Sequence, residues 1–79
     1  MGKRKNPPDI RERFGFAVKS RREDLGLTQE HLAELAQIHR TYVSDIERGA
    51  RNVSLINVER LASALKMSLA ALFAEVERS

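Results

Sequence analysis

Three groups of side chains in this sequence have the types that could do chemistry. His31 and His39 lie eight residues apart, and the chain contains no cysteine. No carboxylate shares an obvious helical face with both, so a metal site is not expected. His39, Ser44 and Asp45 supply the three group types of a nucleophilic triad. All three belong to one short helix or its cap, without the strand-borne elbow or oxyanion loop that such a triad needs. The four glycines are scattered, so there is no phosphate-cradling loop. Enzymatic function is therefore not expected, and no cofactor is implied. The third group is Arg40, Thr41 and Ser44, followed by Arg48, Arg51 and Asn52. Its chemistry is recognition, because an arginine fork can pair with a base edge that offers two acceptors.

The elements that must carry these residues are short helices. Pro7-Pro8 precede Asp9, an N-cap, after which Ile10, Phe14, Ala17, Val18 and Leu25 recur at helical spacing until Gly26. Thr28 caps a second helix with an apolar face of Leu32, Ala33, Leu35 and Ala36. A turn at Gln37-Ile38 follows, with His39 as cap of a third helix, Arg40 to Arg48, that directs Val43 and Ile46 inward and ends at Gly49. Ser54 caps a fourth, with the stripe Leu55, Val58, Leu61, Ala62 and Leu65. Ser68 caps a fifth, with Leu69, Leu72, Phe73 and Val76. No alternating apolar-polar stretch is bounded by hairpin turns, so the expected class is all-α, a compact five-helix bundle.

Length and charge narrow the function further. Seventy-nine residues make one domain, expected over 9–79 behind a basic flexible arm at 1–8. The net charge is +3, and it is unevenly placed. Residues 1–22 hold eight basic and two acidic side chains, whereas 23–37 hold four acids and neither Lys nor Arg. A basic start suggests a nucleic acid or another acidic surface, the plain alternative being a solvated tail. No apolar run reaches the ~18 residues of a membrane span. The N-terminus has neither the apolar stretch of a secretory signal nor a hydroxyl residue at position 6 for acylation. The expected setting is cytoplasmic, without a membrane.

The segment Thr28 to Gly49 combines a capped helix, a tight turn and a second helix with a polar outer face, the layout of a helix-turn-helix. Its surroundings sharpen this. Phe14-Gly15, Arg22, Gly26-Leu27-Thr28-Gln29, Leu32-Ala33, Tyr42-Val43-Ser44, Ile46-Glu47-Arg48-Gly49 and Leu61-Ala62-Ser63-Ala64-Leu65 ahead of Leu69 to Phe73 resemble the lambda-repressor-like helix-turn-helix family. The runs Arg40 to Ser44 and Arg51 to Leu55 look most like the controller proteins of restriction–modification systems. The resemblance extends from about residue 10 to 74. Gln37 and Lys66 stand where the family commonly has Gly, at positions that tend to have φ > 0.

The resemblance implies a dimeric transcription regulator on a palindromic double-stranded DNA operator. Arg40, Thr41 and Ser44 then read base edges, with Arg40 leading because it can bind guanine O6 and N7 together. Gln29, pointing outward at a helix start, takes a phosphate, as do Arg48, Arg51 and Asn52. Tyr42 either touches the DNA backbone or a thymine methyl, or covers the core. Asp45 either accepts from cytosine N4 or orients a neighbouring Arg. Arg22 and Glu47 are expected to form a largely buried bridge that orients the third helix. Leu69, Ala70, Phe73, Ala74 and Val76 give the last helix more apolar surface than one core face needs, so they are the expected homodimer interface. No small-molecule ligand is expected. The alternative is an antitoxin acting mainly through a protein partner; such proteins usually add a toxin-binding segment, and few residues follow Phe73.

Overall fold

Asp9 opens the first helix with a reciprocal cap. Its carboxylate accepts from the backbone of Arg11, and Glu12 reaches back to the Asp9 N–H at 3.2 Å. The computed structural model describes residues 8–78, so the basic-arm expectation for 1–8 lies outside the described residues except at Pro8. The elements are α1 (Ile10–Asp24), α2 (Gln29–Ala36), α3 (Arg40–Glu47), α4 (Leu55–Ala64) and α5 (Leu69–Arg78), with no strand among the described residues. The all-α, five-helix expectation is met. Thr28, Ser54 and Ser68 cap through their hydroxyls, accepting from His31, Asn57 and Ala71. His39 holds the cap position of α3 by its backbone alone and makes no side-chain cap bond.

The first four helices end the same way. Leu27 N donates to Arg22 O, Ile38 N to Ala33 O, Ala50 N to Asp45 O and Met67 N to Ala62 O, each paired with a bond from the residue before it that spans only three positions. This is a six-to-one closure around a left-handed residue. Gly26 and Gly49 fill that position at α1 and α3 (φ 72° and 75°). Gln37 and Lys66 fill it at α2 and α4 with φ of 61° and 60°, as their positions in the resembled pattern imply. Tight closures keep the links short, so consecutive helices turn back on one core.

The core consists of Phe14, Ala17, Val18, Leu32, Ala33, Ala36, Val43, Ile46, Val58, Leu61, Ala62, Leu65, Leu72 and Val76. Helix α1 packs on α3 and α5, α2 on α3 and α4, and α4 on α5. Gly15 permits the closest crossing. A methyl group there would collide with the Ile46 carbonyl oxygen and lie 2.9 Å from that of Glu47. Five residues of the expected helix stripes are exposed: Ile10, Leu35 and Leu55, and also Leu69 and Phe73, which were expected at the interface as well. Val76 corrects the interface expectation. It is 1% exposed and packs into the core, so it is not available to a second copy.

Candidate nucleic-acid interface

Helix α3 is held by its inner face and by one ion pair. Val43 and Ile46 are fully buried, fixing which side faces out. Arg22 of α1 donates from Nε to Glu47 Oε2 at 2.7 Å and from Nη2 to Oε1 at 3.0 Å, and Nη1 donates to the Leu27 carbonyl at 2.8 Å. The two side chains are only 11% and 3% exposed. This is the buried bridge expected from the resemblance. Chiefly the hydrogen bonds to Glu47 raise the Arg22 pKa above its ordinary value, against the opposing effect of burial.

Gln29 belongs to the same network. Its Nε2 donates to Glu47 Oε1 at 2.9 Å, so the amide is half-buried and tied to the bridge, where the sequence suggested a side chain pointing out. The physical reason is proximity: α2 and α3 pack together, and Glu47 has acceptor capacity left after Arg22. The start of α2 and the end of α3 therefore meet at one carboxylate.

The outer face carries the rest. Arg40 and Thr41 are exposed on the first turn of α3, and Arg40 makes no hydrogen bond or ion pair among the described residues. One turn on, the Ser44 hydroxyl accepts from Arg48 Nη1 at 3.2 Å. Asp45 sits between two cations, accepting from Arg48 Nη2 at 2.7 Å and Arg51 Nε at 3.2 Å. In the free chain its carboxylate is thus paired with two neighbouring arginines. Desolvation pushes its pKa up, but the bonds from Arg48 and Arg51 outweigh it and hold the carboxyl below its ordinary value. The Arg51 guanidinium lies 4.8 Å from the centre of the Tyr42 ring, a cation–π contact. Tyr42 is half-buried against the core, so one side of the residue packs while its ring also seats an arginine.

Beside this face runs an open cleft of about 520 Å³, lined by His39, Thr41, Tyr42, Arg51, Asn57 and Arg60 among others. Asn57 and Arg60, one turn apart at the start of α4, are polar candidates that the sequence pattern did not single out. A polar pair opposite an apolar helix stripe is the signal that marks them. Asn52 is exposed and lines a different hollow, an apolar one with Ile10, Phe14, Val53, Leu55 and Phe73. That hollow continues along Leu55, Val58 and Phe73 into a second, bordered by Ile56 and Leu69. Leu69 and Phe73 are exposed there, Ala70 and Ala74 are exposed on the same helix, and Leu55, 84% exposed, is a residue the sequence had assigned to the core. Among the described residues no His, Asp or Glu cluster could hold a metal ion, and no helix is long and apolar enough to cross a membrane.

A helix-turn-helix family model matches residues 18–72, from the middle of α1 into α5. The chain belongs to the lambda-repressor-like helix-turn-helix family. This helix-turn-helix protein is 44% identical over 71 residues to the control protein C.MunI of a Mycoplasma species, covering 89% of this chain and 96% of that one. Its fold is similar to that of the restriction–modification controller protein C.AhdI from Aeromonas hydrophila, with a TM-score of 0.78, 44% identity and coverage of 80% and 96%. It is also similar to the controller protein C.Esp1396I, solved as a tetramer with its natural 35 base-pair operator. There the TM-score is 0.83 at 30% identity, over 91% of this chain and 95% of that one.

Proposed function

We propose that this chain is a sequence-specific regulator of transcription that binds double-stranded operator DNA as a homodimer. The observation that carries the reading is the presentation of α3. A buried ion pair and two buried apolar side chains fix its inner side, while Arg40 stands exposed and without an intramolecular partner among the described residues. An arginine so placed can enter the major groove and pair with guanine O6 and N7. Thr41 and Ser44 refine the choice of base. Arg48, Arg51 and Asn52 set the register on phosphates, as does Gln29, whose Nε2 has a second hydrogen beyond the one given to Glu47. Tyr42 supports Arg51 in that task.

The exposed strip Leu55, Ile56, Leu69 and Phe73, with Ala70 and Ala74, is the surface for a second copy. A two-fold dimer would present two copies of α3 about one DNA turn apart, roughly 34–36 Å, and so favour a palindrome. The controller relatives favour regulation over toxin sequestration, and a regulator of this class works in the cytoplasm without catalysing a reaction. Lys3, Arg4 and Lys5 add sequence-independent attraction to the duplex.

The test is sedimentation of the purified protein with a duplex enriched from a random pool. Two chains, or a multiple of two, per palindromic duplex is the expected result. A single chain per duplex would overturn the dimeric part of the reading, and failure to bind any duplex would overturn the whole.

A further inference from the structure

Three arrangements outside the base-reading face were candidates for a further role: the apolar strip on α4 and α5, the α3–α4 cleft with Arg60, and the Asp45 cluster. The strip belongs to the proposed dimer, and the cleft shares Arg51 with the proposed DNA face. Asp45 is different, because it is an acid placed among the residues that should meet an anion.

We propose that Asp45 is a positioning residue that sets DNA specificity by restraining Arg48 and Arg51. The proposal rests on the DNA-binding reading above. Its basis is the geometry of one carboxylate shared between two forks. Oδ1 takes Arg48 Nη2 at 2.7 Å and Oδ2 takes Arg51 Nε at 3.2 Å. Each arginine has a second restraint: Arg48 Nη1 bonds Ser44 Oγ at 3.2 Å, and the Arg51 guanidinium lies over Tyr42. Both heads are thus fixed before DNA arrives, although their side chains are well exposed.

Fixing has opposite effects on two kinds of DNA site. A phosphate that lies where the held forks point meets donors already ordered, and little side-chain freedom remains to be lost. Elsewhere a phosphate must first pull an arginine off Asp45. Free arginines would follow any phosphate, which is the sequence-independent binding that a genome offers in excess. Asp45 therefore lowers affinity for arbitrary duplex more than affinity for the matched one. The Ser44 contact extends the restraint to a candidate base-reading side chain, so base and backbone contacts move together.

The experiment compares wild type with Asp45→Asn, which keeps the shape and removes the charge. Fluorescence anisotropy is measured against the selected duplex and a scrambled duplex of equal length, across a salt series. Asp45→Asn should bind the scrambled duplex about two- to fivefold more tightly, the range of an exposed ion pair. Its salt slope there should steepen by up to ~0.9 for each further phosphate that the released arginines neutralise. The selected duplex should tighten less, so discrimination falls. In an Arg48→Gln, Arg51→Gln background the same substitution should change little, since there is nothing left to release.

Equal tightening in that background would mean that Asp45 simply repels phosphate, and would overturn the proposal. So would unchanged scrambled-duplex binding, or a changed base preference with unchanged scrambled-duplex binding, which marks a direct base contact. Loss of folding in both Asp45→Asn and Asp45→Ala would make the residue structural and overturn it too. If wild type binds neither duplex, the DNA-binding reading itself fails; if wild type binds and Asp45→Asn matches it, only this proposal fails.

Discussion

Arg22 and Glu47, 25 positions apart in sequence, meet as a two-bond fork between α1 and α3. The carboxylate is almost wholly enclosed, and Gln29 of α2 donates to the same group. Three helices thus converge on one charge pair at the end of α3. A buried pair of this kind adds little net stability over a well-packed apolar contact. Removing one partner is another matter, because the other is left charged and poorly solvated.

Glu47→Ala should therefore destabilise the fold by ~3–5 kcal/mol. Urea unfolding followed by circular dichroism measures it, and amide exchange should show the loss concentrated in α3. Stability equal to wild type would mean that Arg22 finds solvent easily and that the bridge does not orient the helix.

The two left-handed non-glycine residues among the described ones give a prediction of opposite sign. Lys66 at φ 60° and Gln37 at φ 61° hold conformations that disfavour a Cβ, at an expense of ~1–2 kcal/mol each. Lys66→Gly should stabilise by about 0.5–1 kcal/mol, less than the full strain because glycine also frees the unfolded chain. Gly26→Ala is the matching control. A methyl group there meets nothing within 4 Å, so its loss of ~1–2 kcal/mol would report conformation alone. Thermal melts of the three proteins check both signs; a destabilised Lys66→Gly would show that the Lys66 side chain contributes more than its backbone strain removes.

Acid should act on the start of α1. The hydrogen bond from the Arg11 side chain, joined by that from its backbone, lowers the Asp9 pKa from 3.8 to about 2. The folded state thus binds this proton less readily than the unfolded state does. The stabilisation is fully present above the unfolded value of 3.8 and is lost as pH falls through about 2. Asn also caps helices but does not ionise. The stability difference between wild type and Asp9→Asn should therefore shrink over that window, measured as melting temperature against pH. A constant difference would show that the charge on the cap is immaterial.

Most of the helix plan was legible in the residues themselves, because capping and closure are local. Asp9, Thr28, Ser54 and Ser68 announce starts, and Gly26 and Gly49 announce stops, through bonds spanning a few residues. Periodicity was less sharp at its margins. Leu55 repeats in step with Val58 and Leu61 yet is 84% exposed on the first turn of α4, where it lines a surface hollow beside Phe73 and does not enter the core. Val76 erred the other way, since a surplus of apolar groups on α5 does not say which of them the core takes. The long-range contacts were not readable from local pattern. Arg22 with Glu47 came only through the family resemblance. Gln29 on Glu47 and Arg21 Nε on the Leu65 carbonyl at 3.0 Å, which caps the end of α4, depend on how the helices meet.

The exposed position of Leu55 supplies the cleanest test of the dimer face. Leu55→Glu should weaken self-association by ~100- to 10,000-fold, since each of the two copies loses roughly 1.5–3 kcal/mol of apolar burial. The folded monomer should keep its melting temperature at concentrations where wild type is also monomeric. Sedimentation equilibrium over a concentration series measures the first effect. An unchanged association constant would place the interface elsewhere.

The central claim is that α3 reads sequence and that Arg40 carries the largest share. Selection from randomised duplexes with wild type, Arg40→Ala and Arg51→Ala tests it directly. Wild type should enrich a palindromic site. Arg40→Ala should cost ~1–3 kcal/mol on that site and lose preference at one base position per half-site. Arg51→Ala should weaken all sequences about equally, since a phosphate contact holds no base information. If Arg40→Ala keeps the wild-type base preference and loses only overall affinity, Arg40 is a backbone clamp and the account of how this protein reads DNA is wrong.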